Sequence, residues 1–213
     1  MSAQDPAKTL PADLEIPLKY GAERLEKRQD ASMRKFRDNR LGLFIHWGLY
    51  AITSGEWNGK LYDGPSSFLL KSANITPKEW MKLMDRWNPT NFDAFRWAQM
   101  AKRMGVKYLK ITTKHHDGFC LWPSAYSKYT VAQTPGKRDI IGELVKAFDA
   151  EGIDVHLYYS ILDWSHPDFR YSIKSKEDSI AFSRFLEFAE NQIKELATRY
   201  PTCLLYTSDA ADE

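Results

Sequence analysis

The residues best suited to chemistry stand where apolar runs end. His115 and His116 close the run 106–113 and are followed by Asp117-Gly118. A second run, 41–45, closes on His46-Trp47, and a third, 153–157, closes on Tyr158-Tyr159-Ser160. Successive strand residues point to opposite faces, so both histidines of the pair reach one site only if the strand has ended and the backbone turns. Asp117-Gly118 is a turn signal that permits this. Otherwise one histidine is core-facing and the other exposed. A metal is the weaker reading, because adjacent histidines are poor co-ligands and no Cys or His-x-x-Glu spacing accompanies them.

Glu56-Trp57 forms a second constellation. A carboxylate beside an indole suits carbohydrate: the acid accepts hydroxyl protons and the ring covers the apolar C–H face of a sugar. The bland alternative is a core tryptophan beside a solvated glutamate. Tyr158 shares its strand face with His156 and Ser160, and Asp163-Trp164 is either pocket rim or a turn. Glycoside hydrolysis needs two carboxylates flanking the bond, about 5–5.5 Å apart in a retaining enzyme. Glu56 is one acid near the expected pocket, but no second acid stands at a clear strand end. Asp209, set among Ser, Ala and Asp, lacks the bulky neighbours that would hold a nucleophile rigid.

These groups must be positioned by the elements around them. Residues 1–18 are polar and proline-punctuated, an extended arm, and 19–39 reads as a charged surface helix. The stretch 49–74 reads as a long loop leaving a strand end. Thr76-Pro77-Lys78-Glu79 is a capping box with proline at the first helical position, and Trp80, Leu83, Met84 and Trp87 follow on one face. Asn91 or Asp93 caps a helix carrying Trp97, Met100, Ala101 and Met104, ended by Gly105. Asp139 starts another with Ile141, Leu144, Val145 and Phe148. Ser175 starts a long one with Phe182, Phe185, Leu186, Ala189, Ile193 and Leu196. Helices alternating with strands call for a parallel sheet, and the strand ends of a parallel α/β barrel converge on one pocket.

Composition permits this fold. The 213 residues suffice for one sizeable domain but fall short of a complete barrel of roughly 250. With 30 basic against 28 acidic residues and no block of one sign, nucleic acid and an anionic membrane surface are unlike partners. Cys120 and Cys203 make no disulfide framework. Residues 1–18 lack the basic start and apolar run of a signal peptide, and no stretch is long enough to span a bilayer. The compartment and the oligomeric state stay open. One more strand is due after Tyr200-Pro201, and Cys203-Leu204-Leu205-Tyr206 can begin it.

Taken together, Phe44-Ile45-His46-Trp47-Gly48, Gly55-Glu56-Trp57, Lys114-His115-His116-Asp117-Gly118-Phe119, Lys137-Arg138-Asp139 and Tyr158-Tyr159-Ser160 resemble the N-terminal catalytic domain of the α-L-fucosidases of glycoside hydrolase family 29. The resemblance runs from about Tyr20 to Pro201. It implies an α/β fold, part of a (β/α)₈ TIM barrel truncated in its C-terminal half. It also implies a retaining exo-glycosidase with an Asp nucleophile and no metal or other cofactor, acting on a fucosylated glycan or small fucoside. His46, Glu56, Trp57, His115, His116 and Tyr158 would line the fucose pocket. The family's nucleophile follows a Trp-Phe-Asp-Gly-like strand end, where this chain reads Leu205-Tyr206-Thr207-Ser208-Asp209, and its acid/base comes later. The catalytic residues are therefore unknown from this sequence, and 203–213 is expected to be a foreign or misread tail. The alternative reading is a non-catalytic fucose-binding remnant.

Overall fold

The computed structural model describes residues 31–200 and the strand at 204–206. The expected N-terminal arm, most of the charged surface helix and Asp209 in the tail lie outside the described residues. The chain divides into two units, residues 1–40 and 41–213. In the first, helix α1 (Ala31–Asp38) carries Lys35 and Arg37 in its last turn, where cations complement the carbonyl end.

The second unit holds strands β1 (Gly42–Ile45), β2 (Glu56–Trp57), β3 (Lys60–Leu61), β4 (Tyr108–Lys114), β5 (Asp154–Tyr159) and β6 (Leu204–Tyr206). β1, β4, β5 and β6 form one parallel sheet in that order, so the strand expected after Tyr200-Pro201 is present. The long helices make its crossovers: α2 (Ala94–Arg103) leads into β4, α3 (Ile140–Ala150) joins β4 to β5, and α4 (Lys176–Arg199) joins β5 to β6.

Each helix starts where its cap predicts. Asp93, Asp139 and Ser175 accept the backbone N–H groups of Arg96, Gly142 and Asp178, and Thr76 with Glu79 completes the capping box. Such caps satisfy donors that helix ends otherwise leave open, each worth ~1 kcal/mol.

Two helix faces differ from the periodic reading. On α2 the buried residues are Ala94, Ala98 and Ala101, whereas Met100 and Met104 are exposed. A smooth alanine face lets α2 lie close against α3. On α4 Leu186 is exposed, and the polar Gln192 is fully buried. The side chain of Gln192 is held there by Tyr159 Oη, which donates to its Oε1 at 2.9 Å, and by Ser124 Oγ, 3.1 Å from its Nε2. With both polar atoms of the amide served by neighbours, its burial is tolerable.

The sheet is two-faced. Leu109, Ile111, Val155, Leu157 and Tyr159 are buried in the main core. The opposite face carries Phe44, Tyr108, Lys110, His156 and Tyr158. There the Tyr108 ring stacks on His156 at 4.8 Å and lies across Gly42, whose Cα it faces in the ladder. A Cβ on Gly42 would stand 2.1 Å from that ring, so any larger residue there displaces the tyrosine. The stretch 49–74 is not wholly irregular: β2 and β3 pair as a hairpin through Asn58-Gly59, both at positive φ (51° and 77°), the backbone of a type I′ turn.

Candidate active site

The site begins with an irregularity in the ladder. Thr112 pairs with Tyr158, but the next pair is Lys114 with Tyr159, so two residues of β4 stand against one step of β5. A bulge of this kind inverts which face each following side chain meets. Lys114, which strict alternation would send to the Tyr158 face, lies instead with Tyr159: its ammonium is 4.5 Å from the Tyr159 ring and 5.9 Å from Phe188 of α4. His115 returns to the other face, stacked at 6.1 Å on Tyr158.

The strand then turns, as Asp117-Gly118 suggested. Gly118 N–H donates to the His115 carbonyl at 3.0 Å, and Trp164 N–H to the His116 carbonyl at 2.7 Å. Both histidines thereby stay at one end of the sheet, with ring centroids 4.1 Å apart. Gly118 adopts φ +81°, and a Cβ there would lie 2.6 Å from Asp163 Oδ1, so the turn closes only with glycine.

β1 brings the third histidine. Thr112 Oγ1 accepts from Trp47 N–H at 3.0 Å and donates to the Trp47 carbonyl at 3.2 Å, extending the β1–β4 pairing past Ile45. His46 is thus set 5.4 Å from His115 and 6.1 Å from Tyr158. His115, His116 and Tyr158 are buried, while His46 is exposed. A cleft of about 520 Å³ opens beside His46, lined by Tyr50, Ser54, Ser66 and Ser67. Two residues that sequence reasoning missed complete the wall. Tyr50 lies 5.6 Å from His115, and Phe68 lies 5.4 Å from both His116 and Trp164. Both come from the stretch read as loop, and no local pattern marks a residue whose partner is 48 or more positions away.

Glu56 and Trp57 form the first strand of the hairpin. Glu56 is exposed, and among the described residues the ring contact of Trp57 is with Trp80, at 6.0 Å. Trp80 Nε1 in turn donates to Asp117 Oδ2 at 2.9 Å. The hairpin is therefore tied to the histidine turn through an indole and a carboxylate.

The electrostatics disfavour a charge on His115, which lies beside a buried ion pair. Burial, reinforced by the like charges of His116, His46 and Lys114, holds His115 down to about 2. Burial pushes the Asp117 carboxyl up to about 6, against the pull of its Trp80 and Phe119 N–H donors. Burial alone would lower the Lys114 amine, but Asp163, 2.9 Å away, holds it above its ordinary value. Asp163 also accepts the N–H groups of Ser165 and His166, at 3.1 and 3.0 Å. His116 Nδ1 is 2.6 Å from Ser160 Oγ.

Imidazole rings and hydroxyls gathered at the carboxyl ends of parallel strands suit the binding of a polyol, the end of the sheet where α/β barrels build their sites. The comparisons narrow that class. The family model described as Alpha-L-fucosidase matches residues 12–213, and the chain belongs to that family. A putative α-L-fucosidase 1 of Oryza sativa is 35% identical over 165 residues, 76% of this chain and 26% of its own length. The α-L-fucosidase of Dictyostelium discoideum is 28% identical over 80% of this chain and 40% of its own. A solved α-L-fucosidase of Bacteroides thetaiotaomicron superposes with a TM-score of 0.84 at 70% identity, covering 85% of this chain and 41% of that one. The same protein has been solved as a trapped covalent intermediate with 2-fluoro-fucosyl fluoride. This chain spans well under half the length of these relatives.

Proposed function

We propose that this chain forms the fucose-holding part of a retaining α-L-fucosidase, with β1, β4, β5 and β6 as successive staves of a (β/α)₈ barrel. The observation that carries the reading is the convergence of His46, His115, His116 and Tyr158 at one end of the sheet, in a chain whose relatives are α-L-fucosidases. His46, His115, His116 and Tyr158 hold the sugar hydroxyls, Trp57 covers the apolar face of the ring, and Glu56 accepts a hydroxyl proton. The covalent intermediate trapped on the Bacteroides relative supports a retaining course for the whole enzyme. In that mechanism one carboxylate attacks the anomeric carbon while a second protonates the departing oxygen, then activates water to release the sugar. The family pattern puts the nucleophile after the strand that follows α4. That is the place of β6, whose last ladder pair, Tyr206 with Tyr158, abuts the pocket.

Pocket groups hold ground-state hydroxyls, whereas glycosyl transfer needs both carboxylates. The 213-residue chain is therefore expected to bind L-fucose in preference to D-galactose without turning over an aryl α-L-fucoside. Equilibrium binding and release of the aryl group test the two halves. Absence of fucose binding by the folded chain would overturn the first, and burst-and-turnover release the second.

A further inference from the structure

Ser160 makes two short contacts that compete for a single proton. Its Oγ lies 2.9 Å from the Leu162 carbonyl oxygen and 2.6 Å from His116 Nδ1. A carbonyl oxygen can only accept, so the serine hydroxyl proton belongs on the Leu162 side. Two oxygens at 2.9 Å with no proton between them would repel, and the Leu162 carbonyl would lose its donor. The hydroxyl then has only lone pairs to offer the imidazole, and Nδ1 must carry the hydrogen.

From this proton count we infer that Ser160 is a positioning residue which fixes His116 as the Nδ1–H tautomer, so that Nε2 of the neutral ring is left as a hydrogen-bond acceptor. Several features hold the device in place. Ser160 N–H donates to the Lys114 carbonyl at 3.0 Å, which fixes the serine backbone against β4 just past the bulge. The N–H of Trp164 on the His116 carbonyl fixes the histidine backbone against the same loop. The His116 ring is flanked by Trp164 at 5.1 Å and Phe68 at 5.4 Å, which restrict its rotation. Ser160 and His116 are both almost fully buried, so water does not readily substitute for the hydroxyl.

The assignment sets a rule for the ligand, and here it rests on the proposed fucose site. A group that hydrogen-bonds to Nε2 must be a donor. A sugar hydroxyl qualifies, whereas a C–F group at the same carbon accepts weakly and cannot donate. Exchange of that hydroxyl for fluorine should therefore weaken binding as much as its removal. If His116 were instead the Nε2–H tautomer, fluorine would retain part of the contact.

The tautomer is read directly from long-range ¹H–¹⁵N correlation spectra of the histidine-labelled 213-residue chain at pH 8, with His116 assigned by His116→Asn. The parent should show a pyrrole-type Nδ1 and a pyridine-type Nε2. Ser160→Ala should shift His116 toward the Nε2–H form, and Ser160→Thr, which keeps the hydroxyl, should restore the parent pattern. In parallel, Ser160→Ala should weaken L-fucose about tenfold, the worth of one well-placed hydrogen bond, with recovery in Ser160→Thr. An Nε2–H ring in the parent, or an Nδ1–H ring unchanged in a folded Ser160→Ala chain, overturns the inference. If Ser160→Ala does not fold, the parent spectrum alone decides. A parent that shows the Nδ1–H ring but binds no fucose upholds the tautomer and refutes the sugar reading, so the two failures are separable.

Discussion

Lys114 and Tyr159 face each other across the β4–β5 ladder one step out of phase with Thr112 and Tyr158. This single slip sends the lysine toward α4 and returns His115 to the pocket face. The ammonium it displaces would otherwise stand on the face that carries His115 and Tyr158. Instead it meets Asp163 in a fully buried pair that also braces the Gly118 turn.

Loss of one member of that pair should be costly. Lys114→Met leaves the Asp163 carboxylate buried without its counter-ion and is expected to cost ~3–5 kcal/mol. The double change Lys114→Met/Asp163→Asn should recover a large part of this, because it removes the uncompensated buried charge while the amide oxygen can still accept the N–H groups of Ser165 and His166. Urea midpoints of parent, single and double variants measure it. A single variant within ~1 kcal/mol of the parent would show that the pair is better solvated than its burial indicates.

The turn itself should tolerate no Cβ. Gly118→Ala forces an L-residue to φ +81° and drives a methyl to 2.6 Å from Asp163 Oδ1. The expected loss is ~2–3 kcal/mol from backbone strain and overpacking together, with a fall in fucose affinity as His115 and His116 shift. Equal stability in thermal or urea unfolding would contradict the turn geometry.

How much of this was legible in the sequence follows from the range of each interaction. Caps are local: Asp93, Asp139 and Ser175 announced the starts of the three long helices of the second unit, and Thr76 that of the short helix Pro77–Trp80. The alternation of helix and strand gave the parallel sheet, and the strand-final rings gave His46, His115, His116 and Tyr158 as neighbours. The bulge was hidden, because Lys-Ile-Thr-Thr-Lys reads as a regular strand and the extra residue exists only relative to β5. Asn58-Gly59 carried a hairpin signal that the surrounding Gly and Ser obscured. Met100 and Met104 look like core by periodicity, and only the partner helix decides that the alanines face inward.

The pH dependence of stability should have a plateau. His115 moves from about 2 in the fold toward its ordinary 6.5 on unfolding, so between those values the unfolded chain binds the extra proton and stability falls with acid. Asp117 runs the other way: at about 6 in the fold against an ordinary 3.8, it makes the folded chain the better proton binder in that window. Each slope is at most ~1.4 kcal/mol per pH unit, so the two offset each other between pH 6 and about 4. Asp117→Asn removes one of them, and its stability should fall steadily from pH 6.5 downward. Parallel profiles for parent and variant in urea unfolding at pH 4–8 would count against these assignments.

Trp80→Phe keeps the ring beside Trp57 but removes the N–H that serves Asp117 Oδ2. With that donor gone the buried carboxyl should titrate still higher, and the fold should lose ~1–3 kcal/mol. Infrared titration of the carboxyl band separates the effect from simple loss of packing. A carboxyl that titrates as in the parent would mean that Trp80 acts only through its bulk.

The central claim is that His46, His115, His116 and Tyr158 form one sugar-holding pocket, and calorimetric titration of the 213-residue chain with L-fucose tests it most directly. The folded parent should bind. His46→Ala, His115→Ala and Tyr158→Phe should each weaken binding by about tenfold or more, ~1.4 kcal/mol. Arg184→Ala, which breaks only an exposed pair with Asp168, should bind like the parent. A folded parent that takes up no L-fucose, or pocket variants that bind as tightly as Arg184→Ala, would contradict the account.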